Sequence, residues 1–170
     1  WTVANDATFL GDTLFATTST AAQSLTLAGV STLPSVWNVD VLNPLLTVNL
    51  SDASLSVSSD VINKSGLGIL NVGAYNGTIF AAGGLSFSDN GNGRGTYEEL
   101  VLGGDLVIAA STAITVNRSG SGPYARNKIL QKGNLSVSGN IMSVTNLSGY
   151  GLEFTGTTTL TGPAHFSVGT

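Results

Sequence analysis

A chain of 170 residues with a net charge of −4 and 9% charged residues can bury one real core and is too apolar for disorder. It has no Cys, which excludes disulfides and thiolate metal sites, and far too little positive charge for a nucleic-acid binder. No apolar run approaches the roughly 18 residues of a membrane span. The chain begins at Trp1 rather than Met and shows no signal peptide, so the expectation is a processed chain or a piece of a longer one.

Residues 1–35 are rich in Thr and Ala and are expected to form an irregular first turn of the fold. Within them Thr8-Phe9-Leu10 and Leu14-Phe15 are short apolar pieces, and Leu25-Thr26-Leu27 alternates as a strand does. Ala16 to Ala22 has a β-branched Thr run, which favours a loop or edge over a helix. Val36 to Val41 alternates strongly, with Trp37, Val39 and Val41 on one face and Val36, Asn38 and Asp40 on the other. Asn43-Pro44 marks a turn. Leu46 to Val48, Leu55 to Val57 and Val61-Ile62 follow, and Asn63-Lys-Ser-Gly66 reads as another turn.

Ile69 to Val72, Thr78 to Phe80 and Leu85 to Phe87 are the next strands, separated by Tyr75-Asn-Gly77 and Gly83-Gly84. Ser88 to Thr96 is a turn-rich loop, and Asn117 to Lys128 is a second one carrying most of the positive charge. Between and after them Glu99 to Leu102, Leu106 to Ile108, Ile114 to Val116, Ile129-Leu130, Leu135 to Val137 and Ile141 to Val144 are expected strands. Gly149 to Thr170 adds three more, around Leu152-Glu-Phe154, Leu160 and Phe166-Ser-Val168.

No amphipathic helix stands out. A phrase of alternating aliphatic residues ending in Gly recurs at Ser24–Gly29, Ile69–Gly73, Glu99–Gly103 and Asn134–Gly139. It returns after roughly 20 to 30 residues, the period of solenoid architectures. The expected fold is therefore all-β, a parallel β-helix or β-solenoid of short strands filling residues 1–170. Each coil buries its inward side chains only when a neighbour stacks on it. The alternative is an antiparallel β-sandwich or jelly roll. Its support is Asn-Gly at Asn76-Gly77, Asn90-Gly91 and Asn92-Gly93, the favoured hairpin pair.

The segment Gly156-Thr-Thr-Thr-Leu-Thr-Gly-Pro-Ala-His-Phe-Ser-Val-Gly169 is similar to the autotransporter-associated β-strand repeats of large bacterial surface proteins. Leu100 to Ile108 and Leu135 to Gly139 resemble weaker copies, so the likeness covers about half the chain, while Arg126 to Lys132 does not fit it. The resemblance implies a parallel β-helical passenger segment, exported to the cell exterior and usually without catalytic residues. It carries no functional residues onto this chain.

Chemistry is sparse. His165 is the only His, in an alternating strand, and faces outward if Phe166 and Val168 point inward. One His without Cys or clustered carboxylates makes a poor metal site. No G-x-S-x-G elbow is present; Gly84-Leu-Ser-Phe-Ser88 fails at its last position. Glu98 and Glu99 are adjacent, so strand geometry sends them to opposite faces, unlike a glycosidase pair. Ser88 to Gly95 hints at a calcium loop, but Gly91 and Gly93 stand where ligand oxygens are needed. Asn-x-Ser/Thr triplets at Asn49, Asn63, Asn76, Asn117, Asn134 and Asn146 are glycan acceptors only in a eukaryotic secretory setting, and ladders of stacked Asn or Ser account for them otherwise.

These features point to a non-enzymatic extracellular structural or adhesive rod with no cofactor and no metal. Its expected partners are further coils of the same chain or identical copies stacked end to end, through Trp1, Val3, Phe166 and Val168. The alternative is a polysaccharide-binding or polysaccharide-cleaving β-helix. Its contact loop is Tyr124, Arg126 and Lys128, which present an aromatic ring and positive charge together to surface carbohydrate.

Overall fold

The computed structural model describes residues 1–29, 31–50, 61–73, 75–89, 99–101, 103–118, 128–146 and 150–169. Among them strands alternate with turns, no helix occurs, and every strand pairing is parallel. The antiparallel alternative thus has no pair to rest on among the described residues. Asn76-Gly77 leads into a strand that pairs parallel with its predecessor, Gly84 lying against Ile69, so it does not make the hairpin that its composition favours.

The strands fall into layers. The first holds β1 (Thr2–Val3), β2 (Ala7–Thr8) and β3 (Thr13–Phe15), and the second β4 (Gln23–Leu27), β5 (Ser31–Thr32) and β6 (Val36–Val41). β1 lies on β4, β2 on β5 and β3 on β6, with Thr2 against Thr26, Ala7 against Ser31 and Thr13 against Val39. Residues 1–35 hold short strands, several of only two or three residues, stacked on later ones. The third layer has β7 (Leu46–Asn49) and β8 (Val61–Ser65). The fourth has β9 (Ile69–Asn71) and the opening of β10 (Thr78–Asp89).

β10 and β12 (Leu106–Arg118) each run through a corner and serve two layers. The far half of β10, β11 (Glu99–Val101) and the start of β12 make the fifth layer. The rest of β12, β13 (Lys128–Lys132) and β14 (Leu135–Ser138) make the sixth. β15 (Ile141–Asn146), β16 (Tyr150–Phe154) and β17 (Thr158–Thr161) form the seventh, and β18 (His165–Gly169) covers β15. The register shift between Ala81 and Gly83 lets β10 turn its corner without ending.

Most layers advance by a period inside the range read from the sequence: Gln23 meets Leu46, Gly84 meets Ala113 and Leu135 meets Thr158. The fourth is short. Ile69 meets Gly84 and Val61 meets Thr78. Among the described residues no strand lies between Asn71 and Thr78, and Tyr75 in that stretch is buried.

Alternation and register together make the core. Leu25, Val48, Leu70, Leu85, Ile114, Val144 and Val168 stand in one inward column. Trp37, Ile62, Ile79, Leu106 and Leu135 stand in another. Burial is complete in mid-stack and fades outward, so Val168 is 80% exposed where Leu85 is 1%. At the opposite end Phe9, Phe15 and Trp37 fill the interior, with ring centroids of Phe9 and Trp37 5.2 Å apart. The Trp37 indole N–H donates to Thr13 Oγ1 at 2.9 Å, which satisfies its one polar atom.

Asn63 to Gly66 is not the turn that the sequence suggests. β8 runs on to Ser65, because Ile62 and Lys64 share the inward face and the turn begins only at Gly66, with φ +80. The strand apolar pattern is continued by a lysine.

Candidate functional surfaces

The outer face is built by the residues that alternate with the core. Ser24, Thr47, Ile69, Gly84, Ala113, Ser143 and Ser167 follow one another at paired positions. Beside them run Thr26, Asn49, Asn71, Ser86, Thr115, Thr145 and Gly169, again without a charge. Hydroxyls and amides hold this surface in register. Asn49 Nδ2 donates to Ser24 Oγ at 2.9 Å, Asn71 Nδ2 to Asn49 Oδ1 at 3.2 Å, and Ser88 Oγ to Asn71 Oδ1 at 3.2 Å.

A second ladder joins Asn63 Nδ2 to Asn38 Oδ1 and Asn38 Nδ2 to Asp12 Oδ1, both at 2.7 Å. A third lies at a corner. Asp105 Oδ1 accepts from the backbone N–H and Nδ2 of Asn134 at 2.9 and 3.0 Å, and Asn134 Oδ1 accepts from the Thr157 N–H at 2.7 Å. The two bonds from Asn134 hold the Asp105 carboxyl below the usual carboxylate range, helped by the Lys132 charge. The amides that the triplet motifs contain at Asn49, Asn63 and Asn134 are thus spent on stacking.

Shallow grooves lie on this exterior, two of them formed wholly by described residues. One, of about 430 Å³, is lined by Leu67, Ile69, Gly84, Ala113 and Ile141 together with Thr115 and Ser143 among others. The other, of about 310 Å³, lies over Asp12, Leu14, Asn38, Asp40 and Ser65. Among the described residues no group of three or more His, Cys, Asp or Glu is placed to hold a metal ion. His165 is exposed, opposite Ile141.

Of the residues singled out from sequence, Tyr124 and Arg126 lie outside the described residues, and Lys128 opens β13 opposite Tyr150. Asp89 and Arg118, the last described residues before 90–98 and 119–127, are paired across adjacent layers. Trp1 is 91% exposed and Val3 is exposed at the first layer, while Phe166 and Val168 are exposed at the last, over Met142 and Val144. The two groups therefore lie at opposite ends of the stack.

Two buried cations are not evident from the sequence. Lys64 is 2% exposed and Lys132 is 1% exposed. Lys64 Nζ donates to the carbonyls of Gly66, Gly68 and Ala82. Lys132 Nζ donates to those of Gly77 and Gly103, both at 2.9 Å, and lies 5.9 Å from the Phe87 ring centroid. Burial pulls each ammonium down to about 8, against the opposing charges of Asp40 on Lys64 and Asp105 on Lys132. The one available signal was parity: Lys64 sits two residues after the inward Ile62.

No protein-family model, no curated protein and no solved structure matches this chain. Among the described residues no helix is long and apolar enough to cross a membrane.

Proposed function

We propose that the chain is a run of coils of a parallel β-solenoid, and that it serves as a non-enzymatic structural or adhesive rod outside the cell. The observation that carries this reading is the continuous parallel register. Columns of mostly aliphatic side chains run inside, and uncharged columns, mostly of hydroxyl and amide side chains, run outside, through paired strands from β4 to β18. A stack of this kind transmits load through backbone ladders, and its sides offer a regular polar surface. The likeness of residues 156–169 to autotransporter-associated β-strand repeats supports the same reading and suggests a bacterial surface protein.

Stacking extends naturally at either end. The outer edges of β1, β2 and β3 and of β16, β17 and β18 carry ladder groups directed along the stack, with Trp1, Val3, Phe166 and Val168 beside them. A further coil, from the same polypeptide or from a second copy, would continue both ladder and core. The test is electron microscopy and small-angle scattering over a concentration series. Rods that lengthen in steps of one chain, about seven layers of ~4.8 Å each, are expected of self-stacking. A compact particle with no long axis at any concentration would overturn the rod.

Acidic polysaccharide binding at low salt, abolished by Arg126→Ala and by added salt, would favour the carbohydrate-binding alternative over a purely structural role.

A further inference from the structure

Lys64 stands in an inward column between Val39 and Ala81, where stacking asks for an aliphatic side chain. Its stem fits that demand, and Ala81 leaves it room. Its amine meets three main-chain carbonyls: Gly66 at 2.6 Å, Gly68 at 2.7 Å and Ala82 at 2.8 Å. An ammonium carries three hydrogens, so all three are used. Two of these carbonyls belong to the corner after β8. The third belongs to the corner inside β10, one layer on.

The walls are as specific as the acceptors. Gly83 has φ +76, and a Cβ on it would collide with the Gly66 carbonyl and stand 3.1 Å from Nζ. Only a residue without a side chain leaves the oxygens this close. Asp40 contributes negative potential nearby, and its Oδ1 is buried with no hydrogen-bond partner. Convergent carbonyls, a carboxylate and an apolar channel make the chemistry of a primary-ammonium receptor.

We propose that this corner is a built binding site for a primary alkylammonium, occupied in the native chain by its own Lys64 as an internal tie between two layers. Lys132 is a second tie of the same kind, across the corners at Gly77 and Gly103. Lys64 in the third layer and Lys132 in the sixth reach corners of the short fourth layer from opposite sides. That layer advances least between paired strands, and the ties join its corners to its neighbours without a ladder. Three inward oxygens select –NH₃⁺ over an alcohol, which offers one hydrogen, and over a quaternary ammonium, which offers none.

Cutting the tether tests this. Lys64→Ala in the full chain removes three carbons and the amine, the size of n-propylammonium. Its thermal midpoint is measured against n-propylammonium chloride, with n-propanol and tetramethylammonium chloride as matched controls. The expected result is a saturable rise of roughly several degrees with n-propylammonium alone. An equal rise with n-propanol would show a mere apolar cavity and overturn the proposal, as would no rise with any of the three.

If Lys64→Ala does not fold, amine acetylation of the unaltered chain, read by peptide mass spectrometry, decides. Lys64 should react at least about tenfold more slowly in the folded than in the denatured chain. Equal rates would overturn the proposal.

Discussion

Burying an ammonium costs desolvation that burying a leucine does not, and Lys64 and Lys132 both bear that cost at neutral pH. Their folded values near 8 lie below the ordinary 10.5, which fixes the sign of the pH dependence. Below pH 8 folded and unfolded chains hold the same protons, and the full cost is present. Between about 8 and 10.5 the unfolded chain holds protons that the folded one has released, so stability rises with pH across that window and levels off above it. The thermal midpoint is therefore expected to climb by a few degrees from pH 7.5 to 9.5 in calorimetry. Lys132→Met keeps the stem, lacks the charge and should flatten part of that climb. An unchanged slope in the variant would assign the effect to other groups. Backbone geometry gives a second prediction at a corner. Gly83→Ala puts a Cβ on a left-handed residue and against the Gly66 carbonyl, and should cost about 2 kcal/mol or more in urea titration. Gly11→Ala, where a Cβ meets nothing within 4 Å, should cost far less.

A strand in this chain is worth what its neighbours on both sides make of it. Leu85 has Leu70 below and Ile114 above and is 1% exposed, whereas Leu160 lies over Val137 and is 50% exposed. Leu85→Ala should therefore cost about 2–5 kcal/mol and Leu160→Ala well under 2, as read from denaturant midpoints. Equal costs would mean that something covers Leu160 in solution. This contrast explains what the sequence could and could not reveal. Alternation in Val36–Val41 and Leu46–Asn49 shows directly which side chains are buried, since parity alone decides it. The recurrence of the aliphatic phrase shows the stacking period. Corners are less legible. β10 and β12 pass through theirs with no break, because Gly83 in one and the small Ala109-Ala110-Ser111 run in the other bend the backbone without ending the ladder. The short fourth layer has no sequence mark. The buried lysines were hidden because charge normally marks surface, and only the register shows that Lys64 lies between Val39 and Ala81.

Parallel stacking of short layers has a further consequence for the entire chain. Each layer touches chiefly the one before and the one after, so stability is close to a sum of nearest-neighbour terms. Local opening must then start where a layer has only one neighbour. The first layer has Phe9 packed on Trp37 and Phe15 packed on Phe9 to compensate, while the last has Phe166 and Val168 largely exposed over Met142 and Val144. Amide hydrogen exchange should accordingly be slowest in β10 and β12, whose two halves tie consecutive layers together through a corner. It should quicken toward both ends, and faster toward β17 and β18 than toward β3. The Lys64 and Lys132 ties sharpen this, since they join layers three to six by bonds that do not belong to any ladder. Lys132→Met should raise exchange in β10 through β13 while leaving β1 to β4 unchanged within about a factor of two. A uniform protection profile, or one that collapses everywhere in the variant, would mean that the chain unfolds as a single cooperative block. It would then lack the additive behaviour on which a rod of stacked coils depends.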